Sequence, residues 1–182
     1  MRALGLDVST SCVGVCVLEW NGTDFKILEL DHIEFKKCKT LWEKADHLRI
    51  QLSQLSDKFN VEHVFVEDAA LRFSAGLSSA RTIATLLRFN GLASYFARET
   101  FGHDAEYLTP NNARKLIGIK TQQVKKCGKS HKQQVFDHLA VTDLKNIDWP
   151  LKKSGKRVDW AYDATDAYVI AKAGFVSLET QQ

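Results

Sequence analysis

Apolar residues along this chain fall into two rhythms. Arg2 to Asp7 and Val13 to Trp20 are near-continuous runs rich in Val, Leu and Cys, and Asn21-Gly22, a strong reverse-turn pair, follows the second. Phe25 to Phe35 then alternates, with Phe25, Ile27, Leu28, Leu30, Ile33 and Phe35 as its apolar positions. These segments predict three antiparallel strands. From Leu41 to Phe59 the rhythm changes: Leu41, Ala45, Leu48, Leu52, Leu55 and Phe59 recur at three and four residues, one face of a helix. Val61 to Val66 reads as a short strand, Ser78 to Thr100 as a long helix and Ala105 to Leu108 as a last strand. Pro110-Asn111-Asn112 can open a helix towards Ile117, and a further helix is predicted from Ser130 to Leu139. Asp163 to Leu178 closes the chain as a helix whose Ala and Gly residues imply close packing on a sheet. Antiparallel strands followed by alternating helix and strand predict an α/β fold with a mixed sheet.

Composition bounds this picture without altering it. At 182 residues and 45% apolar, the chain suits one domain spanning 1–182. It shows no repeat and no proline-rich linker, its only prolines being Pro110 and Pro150. No apolar stretch approaches the roughly 18–20 residues that cross a bilayer, and Asp7 sits where a secretory signal would be apolar, so a membrane-free, cytoplasmic chain is expected. Cys12, Cys16, Cys38 and Cys127 form no CxxC pair, which argues for free thiols and against zinc.

Charge changes the picture more. The net value is only +3, but no Asp or Glu occurs between Tyr107 and Phe136, where Arg114, Lys115, Lys120, Lys125, Lys126, Lys129 and Lys132 fall. Gly118 to Lys129 reads as a mobile basic insertion, extending to about residue 131. Lys152, Lys153, Lys156 and Arg157 make a second cluster. Single-sign stretches of this kind attract phosphates, although a solvated loop with no partner has the same composition.

Four acids stand out against apolar surroundings. Asp7 follows Leu4-Gly5-Leu6, Glu67 ends Val64-Phe65-Val66, and Asp163 and Asp166 lie three apart on one helix face. Taken singly, Asp7 could cap the Ser-Thr-Ser turn, Glu67 could be a strand-end charge, and Asp163 and Asp166 could serve a helix N-terminus. Taken together, strand ends and a helix start can converge on one cleft. Burying several carboxylates costs several kcal/mol, on the order of magnitude, unless they are compensated. Hard oxygen ligands select Mg²⁺ or Mn²⁺, and a pair of such ions can clamp a phosphodiester and activate water.

Leu-Gly-Leu-Asp7 with Ser-Thr and Gly14 downstream, Val-Phe-Val-Glu67, and Asp163-Ala-Thr-Asp166-Ala-Tyr-Val-Ile-Ala, in that order, resemble the RuvC family of Holliday-junction resolvases, within the RNase H-like superfamily. The resemblance spans nearly the whole chain. It implies a mixed five-stranded sheet, three antiparallel strands then two parallel ones, flanked by helices. It also implies a homodimeric, metal-dependent endonuclease that makes paired symmetric nicks in four-way DNA junctions. The family's metal ligands fall on Asp7, Glu67, Asp163 and Asp166, serving two Mg²⁺ ions that Mn²⁺ can replace. Lys132 falls on the family's lysine near the active site, and Arg114 and Lys115 on a further basic DNA contact. Lys120, Lys125, Lys126 and Lys129 would extend that DNA surface; Phe73 is the candidate for an aromatic that stacks on an unpaired base, worth roughly 1–3 kcal/mol. Asp159 is kept outside the ligand set. The dimer interface is expected on the helix from Ser78 to Thr100. The basic insertion departs from compact bacterial members and looks more like phage or divergent ones.

Three other readings share part of this evidence. A nuclease of the same superfamily acting on RNA-DNA hybrids or other branched DNA would carry the same acids. A sugar-kinase-like phosphotransferase would need a duplicated domain and a second Gly-rich loop, for which 182 residues leave no room. A cleavage-silent junction binder would have no use for four intact acids.

Overall fold

The computed structural model describes residues 1–69 and 80–180. The β-branched and apolar runs of the first forty residues form β1 (Arg2–Val8), β2 (Cys12–Trp20) and β3 (Phe25–Glu34), paired antiparallel in sequence order. The β2–β3 turn is set by Asn21, whose side-chain oxygen accepts the amides of Thr23 and Asp24, and by Gly22 at a positive φ of 100°. Next comes α1 (Leu41–Lys58), opened by Thr40, whose hydroxyl accepts the Glu43 amide at 3.1 Å while Glu43 accepts the Lys39 amide. The strand β4 (His63–Glu67) then returns parallel to β1, and after α2 (Ala80–Phe101) the short β5 (Ala105–Leu108) lies parallel to β4. The sheet order is β3-β2-β1-β4-β5, the mixed five-stranded sheet expected.

Alternation along each strand divides the core into two layers. Leu4, Leu6, Val8, Val13, Val15, Val17, Val64 and Val66 face α1 and α2. Ala3, Cys16, Leu18 and Phe65 face the other way, onto α3 (Pro110–Leu116), α5 (His131–Leu139) and α6 (Trp160–Thr180). The helix α6 is the central element of that second layer, buried almost continuously from Ala164 to Ala171. Its close seat requires glycine beneath it. A Cβ on Gly5 would strike the main chain at Ala167 and Ala171, and a Cβ on Gly14 would strike the carbonyl of Asp163.

Two segments differ most from the sequence reading. The helix α6 starts at Trp160, so Asp163 lies inside its first turn. The segment read as a mobile insertion contains α4 (Val124–Cys127) and is fastened to α5. There the Gln134 side chain accepts the Gln122 amide at 2.7 Å and donates to the carbonyls of Gln122 and Lys129, both at 3.0 Å. A polar side chain facing the loop does this work, which hydrophobic periodicity cannot reveal. Finally, the predicted helix start at Ser78, and Phe73, lie outside the described residues. Among the described residues no helix is long and apolar enough to cross a membrane.

Candidate metal centre and its basic rim

Strand alternation dictates the floor of the site. On β1, Ala3, Gly5 and Asp7 point towards α6; on β4, Phe65 and Glu67 do the same. Because Leu6 pairs with Val66 across the parallel strands, Asp7 and Glu67 come out side by side, one residue beyond that pair. The helix α6 crosses above them, and the missing side chain of Gly14, which pairs with Asp7, lets the Asp163 backbone settle there. The next face position, Asp166, then reaches the same spot. Asp7, Glu67 and Asp166 each offer a carboxylate oxygen within 4.8 Å of the others.

Asp163 joins this trio through Lys132 on the first turn of α5. The ammonium donates to Asp7 Oδ2 at 2.8 Å and to Asp163 Oδ1 at 2.7 Å, and lies 3.2 Å from Asp166 Oδ2. A second cation, Arg114, stands 3.9 Å from Asp166 Oδ1. Arg114 is therefore turned inward and only 9% exposed, whereas the sequence reading placed it on the DNA surface. Its helix α3 packs into the core through Ala113, and a guanidinium buried there is stabilised by the negative charge of Asp166.

Two side-chain cations face four carboxylates, and burial dominates the titration of Asp7, Glu67 and Asp166. Burial pushes Asp7 up to about 6, against the opposing pull of Lys132. Burial, followed by the charges of Asp7 and Asp166, pushes Glu67 up to about 9. Asp166 is raised by burial as well, despite Lys132 and Arg114. For Lys132, burial acts to lower the pKa, but the charges of Asp7, Asp166 and Asp163 outweigh it and hold the ammonium above the ordinary lysine range. The thiol of Cys12 is pushed up to about 12 by burial and by neighbouring Asp163, so it stays protonated.

A divalent cation fits this donor set. The available donors are carboxylate oxygens, the chemistry a hard ion takes, and they converge in a largely buried site. Asp7, Glu67 and Asp166 could hold such an ion, with Asp163 beside them.

The remaining candidates spread around this floor. Lys115, Lys120, Lys125, Lys126 and Lys129 are exposed. Lys129 pairs with Asp137 at 2.6 Å, and Lys115 and Lys120 line a hollow of about 280 Å³ beside Arg114. Asp159 is highly exposed and occupied by Lys152 at 2.7 Å. Sequence reasoning missed Asn90 of α2, buried at 6%, whose side chain donates to the Glu67 carbonyl at 2.9 Å and ties down the end of β4. Its signal was an amide among the apolar positions of a long helix.

A mixed sheet of this order with clustered carboxylates at the ends of its central strands defines an RNase H-like α/β protein. No family model matches the sequence. Crossover junction endodeoxyribonuclease RuvC of Aliarcobacter butzleri (strain RM4018) is 30% identical over 171 residues, covering 94% of this chain and 96% of that one. The RuvC protein of Sulfurovum sp. (strain NBC37-1) is 26% identical, covering 94% and 92%. Among solved structures, T. thermophilus RuvC in complex with Holliday junction substrate superposes with a TM-score of 0.65 at 15% identity, over 99% of this chain and 96% of the other. The chain belongs to the RuvC family of crossover junction endodeoxyribonucleases.

Proposed function

We propose that this protein resolves four-way DNA junctions by metal-assisted phosphodiester hydrolysis, acting as a two-fold dimer that places one cleft on each of two opposing strands. The observation that carries the reading is the meeting of Asp7, Glu67 and Asp166 beneath Lys132, in a chain whose relatives are junction endonucleases. Asp7, Glu67, Asp163 and Asp166 would hold Mg²⁺, in two sites, with Mn²⁺ as a substitute. Bound there, the ions supply Lewis-acid polarisation of the phosphate and a water nucleophile at neutral pH.

The chain's own groups do the rest. Lys132 remains an ammonium at any working pH, because the carboxylates hold its proton. It reaches the mouth of the cleft with 43% of its side chain exposed, where it grips the scissile phosphate and offsets charge growing on it. Arg114 favours the ionised form of Asp166 and orients it. The exposed lysines 115, 120, 125, 126 and 129 hold the flanking phosphates, which makes affinity fall steeply with salt. For the dimer, α2 and α1 offer Leu87, Tyr95 and Trp42, exposed at 39%, 58% and 69%, with Trp42 on the wall of a groove of about 700 Å³.

The test is Mg²⁺-dependent cutting of a synthetic mobile four-way junction, compared with linear duplex and RNA-DNA hybrid. Paired, religatable nicks at symmetric positions are expected on the junction. Cutting confined to the hybrid would replace this reading with that of a ribonuclease.

A further inference from the structure

The second basic cluster, residues 150–158, stands at the edge of the cleft as a built hairpin. Leu151 bridges Arg157 antiparallel, the Lys152 amide donates to the Lys156 carbonyl at 2.7 Å, and Gly155 turns the tip at a φ of +75°. Two side chains brace its foot. Lys152 grips both carboxylate oxygens of Asp159 at 2.7 Å, just before α6, and the Arg157 guanidinium lies 4.3 Å above the ring of Phe136 on α5. Phe136 is fully buried and also packs against Trp149, the residue that leads into the hairpin. The turn is thereby clamped to the two helices that carry Lys132 and Asp163.

Lys152 and Arg157 are spent on this bracing, while Lys153 and Lys156 are exposed and have no ionic partner among the described residues. Beside the hairpin's foot runs a groove of about 350 Å³, with Ser130, Lys132 and Gln133 on one wall and Asp159, Tyr162 and Asp163 on the other. Its floor is strongly acidic, so cations on both walls favour the entry of a polyanion. The first turn of α5 and the lysines before it supply one side. On the α6 side, the hairpin anchored at Asp159 carries the exposed ammonium groups of Lys153 and Lys156.

We propose that the 150–158 hairpin is a second phosphate grip, in which Lys153 and Lys156 hold the backbone of the nucleic-acid strand on the α6 side of the cleft. The inference rests on the functional reading above for the identity of the strand, but on the hairpin's own geometry for the contact. Its mark is on affinity, not on the chemical step.

The experiment compares the full-length parent with the double variant Lys153→Ala/Lys156→Ala. Binding to four-way junction, linear duplex and RNA-DNA hybrid is measured without divalent cation across a salt series, with melting temperature as a folding control. The variant is expected to bind the parent's preferred substrate about tenfold more weakly. Its log-log salt slope should be shallower by about two, since about 0.9 is lost per phosphate contact. Single-turnover cutting at saturating substrate should match the parent, and Lys153→Arg/Lys156→Arg should restore binding. Affinity and slope equal to the parent's would overturn the grip. A parent that prefers hybrid would overturn junction resolution while the variant still judges the hairpin, and a parent that binds no nucleic acid would overturn both.

Discussion

The floor of the cleft and its rim use charge in opposite ways. On the floor, Asp7 and Asp166 are 5% and 2% exposed, and their positions follow from strand alternation and from the seat of α6. At the rim, lysines 120 and 153 project from loops, and lysines 125 and 126 from the short helix α4, into water. A buried carboxylate feels a low dielectric and a fixed neighbour, so each one matters singly and its loss is not absorbed. An exposed lysine acts through a screened field, so its effect is small and adds to those of its neighbours. The floor should therefore govern whether the bond breaks, and the rim how long the substrate stays.

The sharpest way to break that division is Asp7→Asn. It is expected to lower cleavage by about 1000-fold or more while junction binding survives, as read by single-turnover cutting beside a gel-shift titration; parallel loss of both would erase the distinction. Lys132→Ala comes next, with cleavage down about 100-fold. It also leaves Asp7, Asp163 and Asp166 without their nearest positive charge, so the metal-free protein should melt lower and Mg²⁺ should recover more of that loss than in the parent.

Gly14→Ala tests whether the floor is held by main chain. The added methyl meets the Asp163 carbonyl, and a stability loss of about 1–3 kcal/mol is expected in denaturant titration, with cleavage falling too. Glu67 gives a pH signature. Its folded pKa of about 9 lies above the ordinary 4.5, so the folded chain binds more protons than the unfolded one between those values, and stability without metal falls as pH rises through that window. Asp7, raised to about 6, acts in the same direction. Glu67→Gln should therefore raise the melting temperature of chelator-treated protein at the alkaline end and flatten its pH dependence, while abolishing cleavage. The smallest effect belongs to the rim: Lys125→Ala/Lys126→Ala should weaken binding about 3- to 10-fold, with a shallower salt slope and unchanged single-turnover cutting.

The same contrast explains what could be read before the fold was known. Asp7 and Glu67 were legible because each ends an apolar strand, and a period of two fixes the face; Asp163 and Asp166 were legible because three residues span one helix face. The three antiparallel strands followed from the same runs, with β1 extending to Val8 instead of Asp7, while the two parallel strands were expected from the family resemblance. The inward turn of Arg114 was not legible because a basic run gives no hint of which member turns inward; only the packing of α3 beside Asp166 decides that. Asn90 and Gln134 act through single hydrogen bonds to main chain distant in sequence, which no local pattern records. The bracing of the hairpin by Phe136 and Asp159 likewise joins segments that hydrophobic rhythm treats as unrelated.

The bare backbone at Gly5 and Gly14 makes α6 rest on the sheet as a beam rests on a stop. A side chain at either glycine would lift the helix off the strand, so the spacing of the backbones that carry the acids is gauged by direct main-chain approach. Drift in the surrounding core can then proceed, methyl by methyl, without disturbing the calibration of the cutting edge.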